Sequence, residues 1–169
     1  MEQPNRKGLR LKYFNYNSSG SYFITICTKD KKEILSKVIS NNSLTQNPTV
    51  MLLPYGKIAE KYIKELHCFY EDISVDKYVI MPNHIHMLIK ISSKENHLKC
   101  DDPFKKEDNT NSRISKFVST FKRFCNKEYG ENIWQNRYFD HVIRCEKDYR
   151  ETWTYIEHNP RRWIEKRLK

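Results

Sequence analysis

Two histidines separated by one residue are the first side chains in the sequence that could hold a metal ion. His84 and His86 lie in an apolar run with the character of a β-strand. Because side chains alternate across a strand, the two imidazoles share one face, and Ile85 and Met87 occupy the other. Two imidazoles on one face can converge on a divalent cation. An isolated His-x-His pattern is more often a pair of histidines on a solvated sheet face.

A tyrosine and an amide near the C-terminus supply further polar groups. Residues 146–159 predict a final helix that Pro160 ends. Tyr155 and Asn159 stand four residues apart on this helix, so both side chains can reach the same point. Taken singly, Tyr155 is more often a packing residue, and Asn159 the polar end of a helix. If their face meets the histidine face, the site contains two imidazoles, one amide oxygen and one phenol.

These groups suit the cleavage of a phosphodiester by a covalent route. A phenol has an ordinary pKa near 10 and is a weak nucleophile at neutral pH. A cation close to it polarises the phosphoryl oxygen and offsets the charge that builds up in the transition state. Three neutral ligands leave the charge of that cation undiminished. An attacking tyrosine keeps the phosphate as an ester, so the strand can be rejoined, which is the chemistry of a strand transferase.

The elements that must position these groups follow from the hydrophobic periodicity. The predicted order is strand, helix, strand, strand, helix, strand, helix, over residues 21–28, 54–69, 73–81, 84–91, 113–129, 138–143 and 146–159. This order favours an α+β fold in which two long helices cover the apolar face of one antiparallel sheet. The last helix is then left to cover the histidine face. Residues 29–53 predict a loop with a short extended piece at 49–53.

Length and composition indicate a single domain over residues 1–169, with a charged connector at about 92–112 that we expect to be mobile. The sequence has no apolar run of the roughly 18 residues that a membrane helix needs. Five cysteines, odd in number and widely spaced, are typical of a reducing compartment. We therefore expect a cytoplasmic protein.

The charge balance favours a polyanionic partner. Lys and Arg number 31 against 21 Asp and Glu, a net charge of +10, which points to nucleic acid first and an acidic membrane surface second. One helical row and the segment after Pro160 carry the candidate phosphate contacts, which are Arg113, Lys116, Arg123, Lys127, Arg161, Arg162 and Arg167. Such a row is more often a solvated face. Tyr13, Phe14 and Tyr16 could stack unpaired bases, although a flexible basic tail is equally plausible.

Several motifs, in matching order over nearly the whole chain, resemble one family. Residues 81–86, Met-Pro-Asn-His-Ile-His, resemble the His-hydrophobe-His motif of the HUH single-tyrosine transposases. Residues 134–144 resemble the segment after the second long helix of the REP-associated tyrosine transposases. Residues 155–160, Tyr-Ile-Glu-His-Asn-Pro, resemble their Tyr-Ile-x-x-Asn-Pro signature. Residues 10–28 are similar to their opening strand.

The resemblance implies a ferredoxin-like sheet of four or five antiparallel strands with flanking helices. It implies that His84 and His86 bind Mg²⁺ or Mn²⁺ with Asn159 as third ligand. Tyr155 would attack single-stranded DNA near imperfect hairpins, leaving a 5′-phosphotyrosine link and a free 3′-OH. It assigns no role to His141, which belongs to a family-typical motif. Imidazoles generally prefer zinc, copper or nickel, so Mn²⁺ is physically the easier of the two ions.

Two other functions stay open at this point. A nucleic-acid-binding module with the same fold and no turnover would have the same basic helices and core. A hydrolase in which water attacks and Tyr155 only orients would cut DNA without a protein–DNA adduct. The short connection between residues 143 and 146 lets the tyrosine helix fold back on its own sheet, so we expect a monomer. A dimer that exchanges this helix is the alternative.

Overall fold

A four-stranded antiparallel sheet forms the centre of the computed structural model, which describes residues 18–40, 48–92 and 112–168. Its strand order is β4-β5-β1-β6, and a separate two-stranded sheet pairs β2 with β3. The strands are β1 (Gly20–Cys27), β2 (Ser36–Ile39), β3 (Thr49–Leu52), β4 (Ile73–Ile80), β5 (His84–Ile91) and β6 (Phe139–Ile143). The helices are α1 (Pro54–Glu65), α2 (Arg113–Tyr129), α3 (Glu146–Glu157) and α4 (Asn159–Glu165). Short 3-10 turns occupy Lys29–Lys31 and Leu66–Cys68.

The β4-β5 hairpin carries the histidines. Its two apolar strands turn at Pro82 and Asn83, where Met81 donates its backbone N–H to the carbonyl of His84 across 2.8 Å. β1 then pairs with β5 along its full length. β5 is therefore hydrogen-bonded on both edges, to β4 and to β1, which makes the backbone that carries the histidines one of the most constrained parts of the sheet.

Helices α1 and α2 cover one face of the sheet because each carries an apolar stripe. Ile114, Phe117 and Phe121 of α2 are fully buried, and they join Ile85 and Met87 of β5 in the main hydrophobic cluster. The α2 helix begins at Ser112, whose hydroxyl accepts a hydrogen bond from the backbone N–H of Ser115, and it ends at Gly130 in the left-handed region. The apolar side of β5 is thus sealed away from solvent.

Helices α3 and α4 lie on the opposite face, over the histidines. The Tyr149 hydroxyl of α3 donates a hydrogen bond to Asp76 in β4 across 3.0 Å. On the other side, His141 of β6 contacts both carboxylate oxygens of Asp148 at 3.0 and 3.1 Å. Ile156 of α3 is fully buried. Contacts to both outer strands of the same sheet therefore fix α3 on its own chain.

The expected α+β, ferredoxin-like arrangement is confirmed, since β1-α1-β4-β5-α2-β6 follows the βαββαβ order with the antiparallel strand order of that fold. The structure adds two features. Residues 29–53 contain β2 as well as the extended piece at β3. Pro160 was expected to end the last helix, but α3 already ends at Glu157 and Pro160 lies in the first turn of α4, where its missing N–H has no cost.

Two expectations concern residues outside the described ranges. These are the basic and aromatic N-terminal segment with Tyr13, Phe14 and Tyr16, and residues 93–111 of the charged connector. Within the described ranges, none of the helices is long and apolar enough to cross a membrane.

The fold yields a stability prediction at Gly56, where α1 approaches the carbonyl of Leu35. A Cβ at this position would lie 1.9 Å from the Leu35 carbonyl oxygen. That oxygen accepts a hydrogen bond from the backbone N–H of Leu53 at 2.9 Å, so it cannot move freely. Gly56→Ala should therefore lower the free energy of unfolding by about 1–3 kcal/mol or more, measured by urea denaturation.

The matched control is Lys57→Ala, an exposed position one residue along the same helix. This change should alter the free energy of unfolding by less than about 0.5 kcal/mol. Equal stability of Gly56→Ala and the unmodified protein would show that α1 does not approach Leu35 this closely.

Candidate active site

His84 and His86 lie next to each other on the β5 face that α3 and α4 cover. Their ring centroids are 4.5 Å apart. His86 is 5% exposed, whereas His84 opens more towards solvent. The alternation of the strand places both rings on this face, as the sequence predicts, and the pairing of β5 with β1 and β4 holds them there.

Hydrogen bonds orient the two imidazoles through the same ring nitrogen. The Nδ1 of His84 lies 2.7 Å from the Oδ1 of Asn83, and the Nδ1 of His86 lies 2.8 Å from the hydroxyl of Thr25 on β1. An imidazole that is held at Nδ1 can bind a cation through Nε2, and the two ring centroids are close enough for both rings to serve one ion. Metal-binding histidines in proteins are usually oriented by such a second partner.

Burial keeps both imidazoles neutral. The pKa of His84 is lowered to about 4, mainly by desolvation and also by the positive charges of Lys31 and Lys166, while a hydrogen bond with Asn159 acts in the opposite direction. Desolvation, together with the neighbouring His84, lowers the pKa of His86 to about 3. Neutral imidazoles keep the lone pairs that a cation needs.

Asn159 brings an amide to the same place. The α3 helix ends at Glu157, His158 leaves helical geometry, and Asn159 begins α4 with its side chain buried and hydrogen-bonded to His84. Across residues 18–40, 48–92 and 112–168, no three His, Cys, Asp or Glu side chains cluster where they could hold a metal ion. Two imidazoles and an amide oxygen nevertheless form a donor set that fits a divalent cation, and Asn159 is its third member.

Tyr155 stands over the histidines from α3. Its ring centroid lies 5.3 Å from that of His86 and 5.8 Å from that of Phe23, both in edge-on contacts. The Arg162 guanidinium lies 5.1 Å from the centre of the tyrosine ring, which is 36% exposed. Tyr155 and Arg162 line an open cleft of about 560 Å³ that also contains both histidines and Asn159. The structure thus brings all four predicted site residues together within one chain.

The candidate DNA-binding cations separate into two groups. Arg162 lines the cleft, while Arg161 points along α4 to Glu165, with 3.2 Å between the charged atoms. Arg113, Lys116, Arg123 and Lys127 belong to α2, which packs on the other face of the sheet. Arg113 also forms an ion pair with Asp72 at 3.2 Å. The structure therefore does not bring the α2 row to the histidine face.

Several residues of the cleft were missed by the sequence analysis. Thr25 lies directly opposite His86 in the β1-β5 register, and Lys31 follows β1 in a short turn. Trp163, whose ring centroid is 5.9 Å from that of His84, and Lys166 come from α4. The alternation of β1 places Thr25 on one face with Phe23, but only the register joins it to His86. Trp163 and Lys166 follow Pro160, in a segment where the sequence indicates a functional role only for the arginines.

Comparisons with known proteins identify relatives of this chain. Residues 16–159 match the protein family described as "Transposase IS200 like". An uncharacterised protein of Haemophilus influenzae is 32% identical over 96% of this chain and 92% of its own length. A REP-associated tyrosine transposase of Escherichia coli K12 is 31% identical over 51% of this chain and 43% of its own length.

A solved structure shares the fold. It is a REP-associated tyrosine transposase bound to a REP hairpin, which matches 96% of this chain and 74% of that chain with a TM-score of 0.54 at 22% identity. The family match ends at Asn159 and includes His84, His86 and Tyr155. This chain belongs to the IS200-like transposase family, with similarity to the REP-associated tyrosine transposases.

Proposed function

We propose that the protein is a metal-dependent single-strand DNA endonuclease and strand transferase with Tyr155 as its nucleophile. The observation that supports this most directly is the contact between Tyr155 and His86, whose ring centroids lie 5.3 Å apart in one chain. Tyr155 is 36% exposed and borders the open cleft that contains both imidazoles. Family membership supports DNA as the substrate.

His84, His86 and Asn159 are the residues proposed to hold Mg²⁺ or Mn²⁺. The bound ion would supply Lewis acidity, polarising the phosphoryl oxygen of the scissile phosphate. The neutral imidazoles and the amide add no negative charge, so they would not repel the DNA phosphate. Asn83 and Thr25 would keep the two Nε2 atoms directed into the cleft.

Tyr155 is proposed to attack the phosphorus atom through its phenolic oxygen. A bond forms between this oxygen and phosphorus, the bond from phosphorus to the 3′-oxygen breaks, and the 3′-oxygen takes up a proton while the phenol loses one. The product is a 5′-phosphotyrosine link and a free 3′-OH. Arg162, 5.1 Å from the tyrosine ring centre, would hold the ring over the cleft and attract the phosphate.

The DNA partner is proposed to be a single strand near a hairpin, as in the fold relative whose structure contains a REP hairpin. Lys31, Arg162 and Lys166 line the cleft and would contact its phosphates. DNA would have to extend around the sheet to α2 in order to contact the row Arg113, Lys116, Arg123 and Lys127. Because α3 packs on its own sheet, we propose that one chain forms a complete site and acts as a monomer.

Tyr155→Phe tests the nucleophile. Incubation of an internally labelled hairpin oligonucleotide with the protein and Mn²⁺ should give an adduct that survives SDS, and Tyr155→Phe should abolish it because the attacking oxygen is missing. The control is Tyr62→Phe, which removes a phenol oxygen bonded to Glu128 in the α1-α2 layer and should leave the adduct unchanged. Cleavage without an adduct would support attack by water, and binding without cleavage would support a silent binding module.

The lowered pKa values of the histidines predict how metal binding depends on pH. An imidazole must be neutral to bind a cation, so protons compete only near the pKa values of about 4 and 3. The affinity for Mn²⁺, measured by calorimetry or EPR, should be nearly constant from pH 8 to pH 5 and fall only as the pH approaches 4. Histidines with the ordinary pKa of about 6.5 would instead lose affinity from pH 7 downwards, which would contradict the burial described here.

Thr25→Val tests the orientation of His86 with almost no change of shape. The substitution removes the hydroxyl that lies 2.8 Å from His86 Nδ1 and should lower the affinity for Mn²⁺ by about 10- to 100-fold. Thr120→Val is its control, because it removes a hydroxyl contact of equal length, to Tyr70, on the other side of the sheet. An unchanged affinity in Thr25→Val would show that the hydroxyl does not orient the ligand.

A further inference from the structure

A second cleft opens on the other side of Tyr155. Its volume is about 830 Å³, and it lies between the edge strand β6 and helix α3. We call it the β6 cleft; the residues used in the argument are Phe23, Phe139, Asp148, Glu151, Tyr155 and Arg162. Tyr155 and Arg162 line both this cleft and the metal-site cleft. A strand that places a phosphate at Tyr155 can therefore continue into the β6 cleft.

Phe139 gives this cleft an exposed aromatic surface. It is the first residue of β6 and is 47% exposed, although a ring of this size is usually buried. In the sheet register Phe139 pairs with Thr25, which in turn pairs with His86. The three residues lie in one row on adjacent strands, so the backbone of Phe139 is about 10 Å from that of His86. The small Thr25 side chain between them leaves space above the sheet.

The charges around the β6 cleft decide which part of a nucleotide it suits. Carboxylates of Asp148 and Glu151 line it beside the cations of Arg150 and Arg162. Asp148 is engaged by His141, and Arg150 forms an ion pair with Glu146 at 2.9 Å. The carboxylate of Glu151 pairs with Lys147 at 3.9 Å in an exposed contact. A carboxylate repels a phosphate but accepts hydrogen bonds from the amino groups of bases. An aromatic face with a carboxylate edge therefore suits a nucleobase better than a phosphate.

We propose that the β6 cleft binds one unpaired nucleobase of the DNA strand, stacked on Phe139, adjacent to the phosphate that Tyr155 attacks. This inference rests on the proposed function for the position of that phosphate. It adds a base-binding site that holds the strand on the far side of the tyrosine from the metal ligands. Stacking tolerates any base, because every base has a π-face. The site therefore adds affinity and fixes the position of the strand, and it does not read the DNA sequence.

The test measures binding of single-stranded oligonucleotides by fluorescence anisotropy in the Tyr155→Phe background, where no cleavage disturbs the equilibrium. Phe139→Ala should weaken binding by about 5- to 100-fold, the effect of losing one base–aromatic stack. Phe139→Trp should restore the affinity because it restores an aromatic face. Phe69→Ala is the control, since Phe69 is 64% exposed but contacts Phe124 of α2 on the opposite layer; it should have no effect.

An abasic site moved along the oligonucleotide identifies the stacked base. At one position, the abasic site should weaken binding to the protein that retains Phe139 by the same factor as the Phe139→Ala substitution does. It should not weaken binding to the Phe139→Ala protein any further, as expected for coupled partners in a double-mutant cycle. The dependence of affinity on salt should have the same slope in both proteins, because a stacking side chain releases no counterions. A shallower slope in Phe139→Ala would mean a phosphate site and would overturn the proposal.

The outcome separates this inference from the proposed function. Adduct formation through Tyr155 without coupling between Phe139 and any abasic position would overturn the base-binding site and leave the nuclease intact. Coupling at one position without any adduct would support the base-binding site and refute the nucleophile. Retained helical content and thermal stability of Phe139→Ala, measured by circular dichroism, ensure that a loss of binding reports the cleft, and Phe139→Trp provides the same check by rescue.

Discussion

The packing of α3 across the histidine face of its own sheet is the contact on which the rest of this structure depends. Two hydrogen-bonded links fix the helix, Tyr149 with Asp76 on β4 and His141 with Asp148 on β6. They reach the two outer strands of the sheet, so α3 cannot slide across the sheet without breaking one of them. Tyr155 is therefore held above His86 by contacts made by other residues of the helix, not by its own hydroxyl.

The same packing sets the chemistry of the site. Covering the sheet removes His86 almost completely from water, and this desolvation lowers its pKa to about 3. Holding a polar ring in such a place costs free energy unless its nitrogens have partners, and Thr25 supplies one of them. His86 lines the cleft, where its other nitrogen can bind a cation. Burial and orientation together leave two neutral donors, with Asn159 beside them, in a site that suits a cation.

The two faces of the sheet have different roles. The α1-α2 face is apolar and supports the fold, while the α3-α4 face carries the polar groups and both clefts. The break between α3 and α4 shapes the site on the polar face. It lets Tyr155 lie near the end of one helix and Asn159 at the start of the next, so the phenol and the amide approach the histidines from different directions.

The sequence by itself determined the α+β order and the face shared by His84 and His86, because hydrophobic periodicity and strand alternation are local properties. It placed Tyr155 and Asn159 on one helix, whereas the structure divides them between α3 and α4. It also predicted the large helix α2 and the hairpin. It did not predict β2, whose four residues carry too little periodicity, or α4, because Pro160 indicates the end of one helix and the start of another equally well.

Only the tertiary structure decided which distant residues share a site. Thr25 reaches His86 through the strand register, and Phe139 joins the same row through a second register, neither of which a single sequence specifies. The row Arg113 to Lys127 stays a predicted DNA surface, and the apolar stripe of α2 places its helix on the face of the sheet opposite the histidines. These outcomes depend on long-range pairing and on which helix covers which face, and those choices are made by packing between segments far apart in the chain.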